Sequence, residues 1–182
     1  MTKPAQSGRG IATIRRATEA DVTLLSQLAT RLFQETFGPM NDPADMRAYV
    51  ADAFSVEAER EALADPDRVV WIAEDDSHLA LGYATLRRGS TADGVVAVRP
   101  AEVQRIYVDQ AWHGRGVANA LMGTCVEHAK LLRCDVIWLG VWERNPRAIV
   151  FYEKVGFRVV GRQSFRLGSD LQQDLVMARP LD

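Results

Sequence analysis

The stretch of this 182-residue chain most open to chemistry is Trp112 to Leu121, WHGRGVANAL, where two glycines flank an arginine ahead of an apolar-periodic run. A helix starting after such a turn offers unpaired N–H groups and the positive end of its dipole, and glycine removes the Cβ that would hold an anion away. The spacing fits a phosphate cradle, and on residue type alone it fits a structural turn equally well. Two owners of such cradles are excluded. A dinucleotide fingerprint needs a third glycine where Asn119 stands, and a Walker A loop needs Lys-Ser/Thr where Val117-Ala118 stand. Cys125 and Cys134 form no C-x-x-C pair, and no histidine lies at ligand spacing, so no metal site is expected. Cys125 falls on the apolar stripe of a helix and reads as packing.

Composition bounds what must position this loop. Apolar residues make up 47% and charged residues 25%, the profile of one globular domain with its own core. A net charge of −2 gives no general attraction to nucleic acid. The sequence has no run of about 18 apolar residues that would span a membrane. Residues 1–10, MTKPAQSGRG, are basic with no apolar segment behind them, so they read as a disordered lead-in to a domain over 11–182 rather than a secretory signal. Two cysteines without a disulfide framework point to the cytoplasm.

The spacing predicts a strand over 11–16, then a helix over 20–36 with Thr18 and Asp21 at capping-box distance. A helix starting at Asp42-Pro43 and another over 55–64 follow. Strands over 69–74 and 81–87 form a hairpin, 88–100 is an exposed loop, and 102–108 is a strand leading into the glycine turn. A helix over 115–132, a strand over 135–142 buried on both faces, a short helix over 146–155 and strands over 159–165 and 174–179 complete the chain. The order β, helices, ββ, βαβ, α, ββ predicts a single mixed α/β domain with one parallel pair.

Two segments then point to a family. The segment Trp112 to Ala118, preceded by the strand RIYV, resembles the acetyl-CoA-binding signature Q/R-x-x-G-x-G/A of the GNAT superfamily of N-acetyltransferases, with His113 in the Q/R place. Independently, Asn145 to Phe157 resembles that family's N-x-x-A-x-x-F-Y-x-x-x-G-F. The stretches WLGVWERN, FQETFG followed by MRAYVADAF, and SFRLGSDLQQDLVMA resemble PaiA-type polyamine (spermidine/spermine) N-acetyltransferases.

The resemblance implies an acetyl-CoA-dependent N-acetyltransferase, without a metal, acting on a small amine; it admits a homodimer and needs no nucleic acid or membrane. It implies that the strands RIYV and WLGVW splay apart around the pantetheine arm. Cofactor contacts would come from Ile106, Tyr107 and Val108, from His113, Gly114, Arg115, Gly116, Val117 and Ala118, and from Asn145. Tyr152 would protonate the departing thiolate, its ordinary pKa of about 10 keeping it protonated at neutral pH; without the motif it reads as a buried aromatic. Glu102 would be the base, direct or through water, or a solvated strand-edge carboxylate. His113 could donate to a phosphate, and His128 reads as solvent-facing. Phe33, Glu35, Phe37, Tyr49 and Trp142, with the loop 88–100, would line the acceptor side, and Glu35, Asp42 and Glu143 could attract a polycation. A protein N-terminus or lysine as acceptor, and an idle acyl-CoA-binding module, are the alternatives.

Overall fold

The structure is a computed structural model that describes residues 12–182. The expected lead-in over 1–10, and Ile11 of the first strand, lie outside the described residues. β1 (Thr13–Arg16) leads through a 3-10 turn (Glu19–Asp21) into α1 (Val22–Phe37). The capping box forms as the spacing predicts, with Thr18 N–H donating to Asp21 Oδ2 at 2.8 Å. Arg15 grips the same carboxylate through two nitrogens and reaches Glu74 at 2.8 Å, tying the entry of α1 to the sheet.

α2 (Pro43–Ala53) and α3 (Val56–Ala64) start at Asp42 and Ser55, whose side chains accept N–H groups of the first turn. Strands β2 (Arg68–Glu74), β3 (Ala80–Arg88) and β4 (Pro100–Val108) follow, then α4 (Val117–Leu131), β5 (Val136–Trp142), α5 (Pro146–Lys154), β6 (Arg158–Leu167) and β7 (Asp170–Pro180). The helix expected from 115 begins at Val117, because Gly116 is left-handed and cannot continue it.

Among the described residues the strands form one sheet in the order β1-β2-β3-β4-β5-β7-β6, antiparallel except for β4 and β5. That parallel pair is short. It holds at Pro100–Val136, Ala101–Ile137 and Glu102–Trp138, and beyond these residues the two strands have no ladder between them. One sheet face packs on α4 and α5 through Leu121, Cys125, Ile137, Leu139 and Phe157, and the other on α1 to α3 through Leu25, Phe33, Ile72 and Tyr83. Apolar burial on both faces keeps the two halves of the sheet together while its middle opens.

The loop between β3 and β4 is not an acceptor wall. It folds over the far end of the sheet, where the Trp138 indole donates to the Ser90 carbonyl at 2.8 Å and Ala92 and Val95 pack on Trp138.

Candidate active site

The split between β4 and β5 forms a cleft of about 470 Å³. At its mouth Gly114 and Gly116 have φ of +74° and +86°, and a Cβ at either would meet nothing within 4 Å. The turn is left-handed and faces open space. α2, α3 and α5 each carry a side-chain cap, but α4 has none. The Ala120 N–H reaches the Gly116 carbonyl, so the preceding N–H groups of Val117, Ala118 and Asn119 have no partner within the helix. Unpaired N–H groups at the positive end of a helix dipole are suited to receive an anion. The side chains of two residues expected here face elsewhere: Val117 is buried in the core, and Arg115 lies over the Trp112 ring at 5.1 Å.

His113 differs from expectation. Its Nε2 lies 2.9 Å from the Val108 carbonyl and its Nδ1 2.7 Å from Nη1 of Arg147. A carbonyl only accepts and a guanidinium only donates, so Nε2–H donates and Nδ1 accepts. Both ring nitrogens are engaged, and the ring has no donor left for a phosphate. It holds a guanidinium from α5 beside the glycine turn instead. Arg147, unremarked in the sequence, is thereby a residue of the site, and only its place in the second motif segment could have signalled it.

The open edge of β4 follows from alternation. Asp109 N–H donates to the Leu81 carbonyl, so Tyr107 and Asp109 direct their main chain at β3, while Ile106 and Val108 direct theirs into the split. With the Val108 carbonyl held by His113, the groups left on this edge are Ile106 N–H and C=O and Val108 N–H. Tyr107 gives no main-chain group to the split. Its ring lies on the opposite face, with Phe33 at 6.0 Å and Phe37 at 6.2 Å.

From α5, Asn145, Ala148, Phe151 and Tyr152 line the cleft. Asn145 Oδ1 accepts Ala148 N–H, so that oxygen serves the helix. Burial pushes the Tyr152 hydroxyl well above its usual pKa, with Cys125 adding to the shift. Cys125 itself is pushed up to about 12 by burial and is a packing residue. His128 is half-buried with its ring 5.1 Å from that of Trp71, and burial lowers its pKa; it is not solvent-facing as expected.

On the other face of the sheet the cleft is walled by Phe33, Phe37, Tyr49, Tyr107, Trp142 and Phe165. Phe33 stacks on Tyr49 at 5.0 Å, which makes it core and wall at once. Glu35 is absent from this wall: it pairs with Arg31 at 3.0 Å on the outside of α1. Asp42 caps α2 and Glu143 pairs with Arg162, so these three carboxylates are engaged elsewhere. Glu102 does line the cleft, accepting from Gln104 Nε2 at 3.2 Å. Arg105 donates to Glu59 at 2.7 Å and to the Ala53 carbonyl at 2.8 Å, and fastens α2 and α3 to β4.

The C-terminal hairpin, not the loop 88–100, supplies the remaining wall. Its Asp174 stands opposite Trp142 in the β5–β7 ladder, on the face of the aromatic wall. Burial alone raises its carboxyl to a pKa of about 6. Gly140 leaves the room: a Cβ there would stand 2.7 Å from Gln163 Nε2 and 3.3 Å from Asp174 Oδ2. Sequence reading missed Asp174 although it stands within the SFRLGSDLQQDLVMA stretch, because nothing in the spacing there marks a buried, unpaired carboxylate. Among the described residues there is no group of three or more His, Cys, Asp or Glu placed to hold a metal ion.

A sheet split along its one parallel pair, with a bare helix N-terminus at the mouth and a tyrosine on the following short helix, is the arrangement that the resemblance to acetyl-CoA-dependent N-acetyltransferases implies. The chain belongs to the Acetyltransferase (GNAT) family, whose model matches residues 24–157, and it is an acetyl-CoA-dependent N-acetyltransferase. It is similar to an uncharacterized N-acetyltransferase of Mycobacterium tuberculosis, 35% identical over 161 residues that cover 88% of this chain and 98% of the relative. A spermine/spermidine N(1)-acetyltransferase of Bacillus subtilis is 30% identical over 64 residues, 35% of this chain and 42% of that protein. The solved PaiA N-acetyltransferase of Thermoplasma acidophilum, in complex with coenzyme A, has the same fold, with a TM-score of 0.74 at 17% identity over 93% of this chain and 99% of that one.

Proposed function

We propose that this N-acetyltransferase acts on a primary amine of a small alkylammonium acceptor of the spermidine/spermine class, in the cytoplasm. The observation that carries the reading is the acceptor half of the cleft, which a wall of aromatic side chains shares with the carboxylates of Glu102 and Asp174. Aromatic faces attract alkylammonium groups, and more strongly once water is excluded. The partial likeness to the Bacillus subtilis spermine/spermidine enzyme supports the same class.

Acetyl-CoA, when bound, supplies a thioester carbonyl and a thiolate leaving group. The N–H groups at the start of α4 and the Gly114–Gly116 turn would hold its pyrophosphate, with Arg147 adding charge beside them. Ile106 and Val108 would pair with the pantetheine arm along the open edge of β4, and Asn145 would face it from β5's end. Tyr152 would give its proton to the departing sulfur; its raised pKa keeps the proton in place until charge develops there. Glu102, at the vertex of the split, would draw the ammonium in as the carboxylate on β4.

The test is free-thiol release from acetyl-CoA with spermidine, spermine, a short diamine, a monoamine and a lysine peptide. Polyamines should give the highest kcat/KM; a lysine peptide above all of them would move the acceptor class to proteins. Tyr152→Phe should lower kcat at unchanged acetyl-CoA affinity, and unaltered turnover with chemistry rate-limiting would remove Tyr152 from the donor role.

A further inference from the structure

Glu102 is not the only carboxylate at the vertex. We propose that Asp174 is the general base that takes the proton from the acceptor ammonium. The proposal rests on the amine-acetylating reading above, and three features of the fold carry it.

The first is register. Trp138 is the last β5 residue paired with β4, and Gly140, two residues on, is the first same-face position past the split. The Asp174 carboxylate reaches over Gly140, whose missing side chain leaves its place open. A nucleophile arriving from the aromatic wall toward the gap between β4 and β5 passes this carboxylate.

The second is the lack of a partner. Glu102 accepts from Gln104, whereas no hydrogen bond or cation offsets the burial of Asp174 among the described residues. A carboxylate held this way gains by receiving an ammonium and gains again by taking its proton.

The third is the surroundings. The faces around Asp174 offer Tyr49 from α2, Glu102, Arg105 and Tyr107 from β4, and Tyr152 from α5; α1, β5 and β6 line the cleft with uncharged residues. Of the cations that line the cleft, Arg105 is already bound to Glu59, and Arg147 of α5 is held against His113 at the glycine-turn mouth. The tyrosine hydroxyls at 49 and 107 are raised by burial and stay neutral at working pH. The acceptor is then the cation left to pair with Asp174.

The reaction balances with these groups. The acceptor enters as an ammonium and Asp174 removes one proton, which frees the nitrogen lone pair. That pair forms the C–N bond to the acetyl carbon as the C–S bond breaks and its electrons go to sulfur. Tyr152 protonates the sulfur, and the second proton shed by nitrogen restores Tyr152 through solvent. The sum is an amide, a thiol and the proton left on Asp174, which returns to water.

The experiment measures kcat/KM against pH for the wild type, Asp174→Asn, Asp174→Glu and Glu102→Gln, using whichever primary amine the wild type acetylates fastest. Acetyl-CoA affinity by calorimetry serves as the check on folding. A general base contributes about 100-fold or more, so D174N should lose that in kcat and lose the acid limb near pH 6, with acetyl-CoA affinity kept. D174E should restore part of the rate together with the limb, and E102Q should keep the limb. Retention of the limb and of kcat in D174N, or its loss in E102Q instead, overturns the assignment. So does a rise in amine KM at constant kcat in D174N, which would make Asp174 an anchor. If the wild type acetylates no amine, the proposed function itself fails and takes this assignment with it.

Discussion

Nη1 of Arg147 lies 2.7 Å from Nδ1 of His113, a contact that joins the glycine turn to the start of α5 across 34 residues of sequence. The imidazole is anchored in turn on the Val108 carbonyl at 2.9 Å. One ring therefore sets the position of a guanidinium at the mouth of the cleft and occupies one acceptor on the open edge of β4. Arg147→Ala should weaken acetyl-CoA binding by about 10- to 100-fold, the range of a charge-assisted hydrogen bond, with kcat at saturation nearly unchanged. His113→Ala should show a smaller loss in the same direction. Calorimetric titration of acetyl-CoA reads both; equal affinity in all three proteins would remove Arg147 from the binding site.

Gly116 precedes α4 at φ +86° with open space around its missing side chain. The cost of Gly116→Ala is then backbone strain rather than collision, about 1 kcal/mol. For a domain of this size that is a fall of about 2–4 °C in Tm. Acetyl-CoA affinity should fall as well, because the first N–H groups of α4 turn away from the anion. A variant with wild-type Tm and wild-type affinity would show that the turn geometry is not needed.

Glu59 is 1% exposed and meets Arg105 at 2.7 Å. Removing one partner of a buried pair leaves an uncompensated charge and costs about 3–5 kcal/mol. Glu59→Ala should show that loss in urea unfolding. Its KM for amine should also rise, since Arg105 fastens the helices that carry Tyr49 and Phe33 to the sheet. A loss below about 1 kcal/mol would mean that water reaches the guanidinium.

Asp21 is held at a pKa of about 2, chiefly by the Arg15 guanidinium and further by Thr18. A folded pKa below the unfolded value gives stability that is present above about pH 4 and lost as pH falls toward 2. Arg15 is more than one-third exposed on its side chain, so solvent screening reduces the contribution to about 1 kcal/mol. Arg15→Ala should be less stable than wild type at pH 7, and the gap should close as pH approaches 2. A gap that persists at pH 2 would place the effect in packing rather than in charge.

Much of the scaffold was legible because its signals are local. The Thr18 and Asp21 spacing, the caps at Asp42 and Ser55 and the continuous apolar run of β5 each concern residues a few positions apart. The glycine turn was legible for the same reason, and so was the Asn145 to Phe157 segment. Reading partners was harder. Glu35 and Glu143 looked available to a polycation, but Glu35 lies one helical turn from Arg31, and Glu143, just past β5, meets Arg162 of β6 across the intervening β7. His113 looked like a phosphate donor, and the two groups that occupy its ring come from β4 and from α5.

The sequence by itself determined the elements, the glycine turn ahead of α4 and the place of Tyr152 on a short helix after β5. Those features follow from backbone rules and spacing, and both act over a few residues. Tertiary structure decided which charges face the cleft. The sheet order sets β7 beside β5, so Asp174 meets Gly140 and Trp142, while α1 and α2 close the far side with Phe33, Phe37 and Tyr49. Desolvation and pairing depend on everything within a few ångströms, and at this site those neighbours are gathered from positions 33 to 174.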